Sequence, residues 1–269
     1  MEFVYLLISF FFFCQFNSFF YFQILLFLQI DSFINIQYFY SFFSSSQLIR
    51  YIFFLQYLKR LNQIDNEGAS GLGSALGKCT NLSKLELHLN GNEIGSKGIS
   101  GLTSGLGKCT NLSKLTLGLQ GNQIGDGYES VLVSDLRNCT NLSNLELELR
   151  NNQFDKYAAQ DLGFDLGKLT NIKKLKLELG RNYIEDEGVQ WLSCGLGECI
   201  NLTNLVLDLG ETDISIEGAL QLAYGLGICA NLSNLTLYLG DQIQKSQDQF
   251  KVKSKYLKLK RLIFLEIEW

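Results

Sequence analysis

The stretch Cys109 to Ile124, CTNLSKLTLGLQGNQI, returns every 30 residues. Its early leucine stands at Leu82, Leu112, Leu142, Leu202 and Leu232, with Ile172 in the remaining slot. Leu262 continues the count toward the C-terminus and Ile52 precedes it. A fixed period over that distance predicts a solenoid, in which each unit buries its apolar face against its neighbours rather than in one central core. This outweighs the division into one or two globular domains that 269 residues would otherwise suggest.

Within a unit the periodicity changes once. Leu85, Leu87 and Leu89 alternate with Lys84, Glu86 and His88, the pattern of a half-buried strand. After Asn92 and Ile94, the residues Gly98, Leu102 and Leu106 recur at helical spacing and form one apolar stripe. Gly107 follows the last leucine, and Gly77, Gly167, Gly197 and Gly227 repeat it. Glycine there predicts a helix end in the left-handed backbone region. Arg137 occupies this slot once, so that helix is expected to end less cleanly, and Tyr128 in the Gly98 slot is expected to push it outward.

Three polar ladders accompany the leucines. Asn92, Asn122, Asn152 and Asn182 follow the strand, where a buried carboxamide can serve unpaired backbone groups. Thr212 and Gln242 replace it later, which predicts looser turns there. Asn81, Asn111, Asn141, Asn171, Asn201 and Asn231 precede the strand as turn residues. Their N-x-S/T sequons are a by-product of the repeat. Five of the 7 cysteines share one repeat position, with Leu169 in the same place, so the slot accepts a small or medium apolar group. Stacked side chains point the same way and no C-x-x-C pair exists, which argues against disulfides and zinc. Reduced thiols fit a cytoplasmic setting for the repeats.

Residues 1–48 differ in kind. They are rich in phenylalanine and carry only Glu2 and Asp31 as charges. The run is long enough to span a bilayer, but no basic segment precedes it, so it matches a secretory signal poorly. Three readings stay open: a membrane anchor, with a hairpin turning at Asp31; an apolar extension folded over the first repeat; and a mispredicted start that translates non-coding sequence. Residues 49–269 hold the solenoid, with a weak first unit at Ile52, Leu55 and Tyr57. Full units begin at Cys79, Cys109, Cys139, Leu169, Cys199 and Cys229. Leu262, Leu265, Ile267 and Trp269 then give a lone last strand without a polar cap, which suggests either a truncated array or an edge that a partner covers.

The pattern L-x-x-L-x-L…N-x-I…G-x-x-x-L-x-x-x-L resembles the leucine-rich repeat family, and within it the ribonuclease-inhibitor-like class. Two departures are the 30-residue unit and an extra leucine after each strand, such as Leu89 and Leu119. The resemblance implies an α/β horseshoe with parallel strands on the concave face and helices on the convex face, used to bind proteins.

Function should then lie on the strand positions that face outward. The central columns read Glu86, Thr116, Glu146, Lys176, Val206, Thr236 and His88, Gly118, Glu148, Glu178, Asp208, Tyr238, with Lys174 alongside. Glu146, Glu148, Glu178 and Asp208 make an acidic centre, and Tyr238 offers an aromatic anchor. These residues predict a basic protein partner, met through a salt-sensitive contact. A lone histidine with no nucleophile beside it, and carboxylates two apart on a strand face, do not make a catalytic site. Phosphate-binding and kinase motifs are absent, and nothing points to a cofactor or metal. Net charge of −4 gives no basis for nucleic-acid binding. The sequence therefore predicts a non-enzymatic interaction module, with regulation of a small GTPase or a membrane-anchored display array as alternatives.

Overall fold

The computed structural model describes residues 53–55, 64–126, 132–240, 243 and 246–269. Residues 1–48, on which the readings of the N-terminal segment rest, lie outside them, as do Ile52, Tyr57, Tyr128 and Gln242. The strands are β1 (Phe53–Leu55), β2 (Lys84–His88), β3 (Lys114–Gly118), β4 (Asn144–Glu148), β5 (Lys174–Glu178), β6 (Asn204–Asp208), β7 (Asn234–Tyr238) and β8 (Phe264–Glu268). The helices are α1 (Asn66–Leu76), α2 (Ser96–Leu106), α3 (Lys156–Gly167), α4 (Glu185–Gly197), α5 (Ile216–Leu226) and α6 (Ser246–Tyr256). All eight strands pair in parallel, in sequence order, as one sheet. Among the described residues no helix is long and apolar enough to cross a membrane.

From β2 onward each residue pairs with the one 30 positions later, as the repeat predicts. The first pair departs from this. Leu55 lies opposite Leu87 rather than Leu85, an offset of 32. A shift of two residues keeps the same set of positions on the same face of the sheet, which a shift of one would reverse. The odd-numbered leucines of each strand point inward: Leu85, Leu115, Leu145, Leu175, Leu205 and Leu235 are all buried. The helix stripe meets them from the other side, through Leu102, Leu106, Leu162, Leu166, Leu192 and Leu196. Val252 and Tyr256 fill those slots in α6, and the Tyr256 hydroxyl donates to the Ala219 carbonyl at 2.8 Å.

The asparagine after each strand joins two units. Asn152 Nδ2 donates to Leu149 O of its own turn at 3.1 Å and to Leu119 O of the preceding unit at 2.9 Å. Its Oδ1 accepts from Asn122 N of that preceding unit at 3.2 Å. Asn122 and Asn182 repeat the arrangement. The Thr212 hydroxyl donates to Leu209 O within its own turn at 2.6 Å, and its backbone carbonyl accepts from Glu185 N of the preceding unit, so the carboxamide ladder ends at Asn182. Asn152→Ala is expected to cost about 1–3 kcal/mol by stranding buried backbone groups in two units. Urea denaturation would measure this, and a loss below about 0.5 kcal/mol would show those groups satisfied another way.

The second asparagine ladder also crosses between units rather than shaping its own turn alone. Asn111, Asn141, Asn171 and Asn201 each donate through Nδ2 to the carbonyl 31 residues earlier. The cysteine slot is more specific than an apolar preference. The thiols of Cys109, Cys139, Cys199 and Cys229 donate to the carbonyls of Leu76, Leu106, Leu166 and Leu196, at the ends of the preceding units' helical arms. Burial pushes Cys109 and Cys199 up to about 12 and Cys139 and Cys229 up to about 11, so these thiols stay protonated and unreactive.

One expectation about the helices is corrected. The glycines after the helices do not adopt left-handed backbone: Gly77, Gly107 and Gly227 have φ of −63°, −59° and −64°. At Gly77, Gly107, Gly167 and Gly197 the role is close approach to the next unit's backbone. A Cβ at Gly107 would lie 2.6 Å from the Asp135 carbonyl oxygen. Left-handed residues occur instead in the turn after the strand, at Gly91 and Gly121 and then at Asn151, Arg181 and Glu211. The unit after β3 differs from the others in its described residues. Its described convex segments are two 3₁₀ turns, Ile124–Asp126 and Ser134–Asn138, and no α-helix is described there. At Gly125 a Cβ would lie 2.5 Å from Gln153 backbone, so the chain passes there against the next unit's turn.

Candidate protein-binding face

The register brings the outward columns together as the spacing predicts. One row runs Glu86, Thr116, Glu146, Lys176, Val206, Thr236 and Glu266. The next runs His88, Gly118, Glu148, Glu178, Asp208, Tyr238 and Glu268. A third, at the strand starts, runs Lys84, Lys114, Asn144, Lys174, Asn204 and Asn234. Neighbouring strands lie about 4.8 Å apart, so side chains of one row touch.

The carboxylates proposed as an acidic centre are adjacent, but they are not bare. Lys176 Nζ lies 2.7 Å from Glu146 and 2.8 Å from Glu178. Partial burial works against its charge, yet the hydrogen bonds to these two carboxylates prevail and hold its pKa above the usual lysine range. His88 Nε2 lies 3.0 Å from Glu86, and its Nδ1 lies 3.7 Å from Glu148. Arg150 reaches Asp208 at 3.4 Å. Burial raises the Asp208 pKa, while a bond from Gly210 N at 2.9 Å and the Arg150 charge act in the other direction.

Two of these contacts skip a strand, and glycine permits both. His88 and Glu148 meet across Gly118, where a Cβ would lie 2.5 Å from His88 Nδ1 and 2.9 Å from Glu148 Oε2. Arg150 and Asp208 meet across Gly180, where a Cβ would lie 3.0 Å from Arg150 Nε. Sequence patterning placed all these residues on one face but gave no sign of Arg150, which follows β4. One signal was Gly118, standing in a column otherwise occupied by larger residues.

Tyr238 stands beside Asp208 in the same row. Burial, together with the Glu268 and Glu266 carboxylates, raises its pKa, so it remains a neutral hydrogen-bond donor. Lys84, Lys114 and Lys174 are exposed, and among the described residues they make no ion pair. Among the described residues no group of His, Cys, Asp and Glu side chains is arranged to hold a metal ion. The face offers charged and hydrogen-bonding groups at the regular spacing of one parallel sheet, which suits recognition of a surface.

Comparison with known proteins bears on the fold. Residues 78–102 match the family model described as Leucine Rich repeat. No curated protein matches the chain. A similar solved structure is Leiomodin-1 Actin-Binding Site 2, which is 13% identical at a TM-score of 0.42 over 71% of this chain and 87% of that one. With strands in parallel register alternating with helices, and with the match over residues 78–102, the fold is an α/β leucine-rich repeat solenoid.

Proposed function

We propose that the chain is a non-enzymatic protein-binding module whose partner seats on the outward face of β2–β7. The observation that carries this reading is the unbroken row structure. Six strands in register present ordered polar groups, with Val206 and Tyr238 as apolar contacts, and no described element covers them. Enrichment of aromatic residues at binding hot spots favours Tyr238 as an anchor. The finer expectation of a basic partner rests on Glu146, Glu148, Glu178 and Asp208, and their internal cations weaken it. Helical arms of 11–13 residues in α1–α5 support the ribonuclease-inhibitor-like class within this fold.

A photocrosslinking benzoylphenylalanine at Thr236, on the strand face, should capture a protein in cell extract. The same group at Ser104, exposed on the outer surface of α2, should not. Capture from Ser104 alone, or equally from both positions, would overturn the assignment of the face.

A further inference from the structure

The loops that lead from each helical arm into the next strand all lie along one edge of the solenoid, because the sheet is parallel and in register. In the first four full units these segments, 77–84, 107–114, 137–144 and 167–174, contain eight basic residues and no acidic one. They do so in a chain whose net charge is −4. Lys84, Lys108, Lys114, Arg137, Lys173 and Lys174 are all exposed, and none makes an ion pair among the described residues. Lys168 differs, being paired with Asp165 at 2.8 Å.

Basic residues are favoured near helix C-termini, and that accounts for Lys108 and Lys168. The effect fades within the last turn of a helix. Lys84, Lys114, Lys173 and Lys174 lie beyond that reach, at or next to the strand starts. The opposite edge, where strands lead into helices, is acidic and only partly occupied: Glu67, Glu93, Glu185, Asp213 and Glu217 are exposed and make no ion pair among the described residues. Asp155 caps α3, Asp186 accepts from Ser215, Glu187 pairs with Lys156, and Glu211 pairs with Arg181 at 2.9 Å. A second copy of the chain is therefore the competing occupant, and self-association of the full chain in sedimentation that is lost in Lys108→Glu with Lys173→Glu would overturn the proposal made next.

We propose that this basic edge binds an acidic protein segment laid along the direction in which the units stack. The four loop segments hold no aromatic side chain on which a nucleic-acid base could stack. They also hold no exposed large apolar group that could enter a lipid surface. The carboxylates of the opposite edge repel a large polyanion but leave room for a narrow peptide. This surface is separate from the strand face of the preceding section, and neither reading depends on the other.

The test is fluorescence anisotropy of the full chain with a labelled peptide of repeating Glu-Gly-Ser, beside the same peptide with Gln for Glu. Phosphatidylserine vesicles and duplex DNA serve as the other anionic probes. The Glu peptide should bind, and the Gln peptide should not. Lys108→Glu with Lys173→Glu should weaken the Glu peptide at least about tenfold, and added salt should weaken it steeply. Lys97→Glu, at the start of α2 on the opposite edge, should change affinity by less than about twofold. Equal binding of the Gln peptide, equal weakening by Lys97→Glu, or tighter binding of vesicles or DNA would overturn the proposal. Lys108 and Lys173 lie outside the strands, so any of these results would leave the crosslinking at Thr236 unaffected.

Discussion

Gly195→Val is expected to destabilise the protein by about 3 kcal/mol or more, through overpacking at a helix contact that cannot relax. A Cβ at Gly195 would lie 1.9 Å from the Gly163 carbonyl oxygen and 2.2 Å from its carbonyl carbon. Both are backbone atoms of α3, so no side chain can swing aside. The helices would have to separate, and with them the leucines that meet beneath. The N-terminal pair has the same construction, since a Cβ at Gly105 would lie 1.8 Å from the Gly73 oxygen. Gly210→Ala is the matched control, because a Cβ there meets only the Asp208 Oδ1 side-chain atom, at 3.3 Å. Guanidinium denaturation should show a large loss for the first variant and less than about 1 kcal/mol for the second. A small loss at Gly195 would mean that the helix layer packs more loosely than the structure describes.

Leu145→Ala should cost about 2–5 kcal/mol, the range for truncating a fully enclosed leucine and leaving a cavity. Leu145 is 2% exposed and sits between Leu115 and Leu175 in the inward row. In a stacked array the lost contacts fall on two interfaces, so the neighbouring units should weaken with it. Lys84→Ala, on the open side of β2, should stay within about 0.5 kcal/mol. Equal losses at the two positions would contradict the assignment of faces.

The leucine spacing carried most of the architecture. Leu85, Leu87 and Leu89 fixed which side of the strand is buried, and the 30-residue return then fixed every outward row without further information. What escaped was whatever depends on contacts across units. The glycines after the helices read as chain stops, whereas at Gly77, Gly107, Gly167 and Gly197 the next unit's backbone comes close, and one unit's sequence cannot show this. The cysteine slot read as apolar because the carbonyl that accepts from each thiol lies 33 residues earlier. The acidic centre looked uncompensated because Lys176 was counted as one more row member and Arg150 lies outside the strands. The 3₁₀ turn Ser134–Asn138 had a trace in the Arg137 departure, which suggested only a less clean helix end.

The cross-braced charges over Gly118 and Gly180 carry a consequence for how a visitor would be received. Arg150, Lys176 and His88 are long or rotatable groups already held by carboxylates, so little of their torsional freedom is left to lose on contact. Such a surface grips by being prepared in advance, and because Glu86, Glu146, Glu148, Glu178 and Asp208 outnumber the Lys176, Arg150 and His88 groups that brace them, it keeps an acidic excess. The length of a visitor's stay would then be set by how well it matches groups that are already in place.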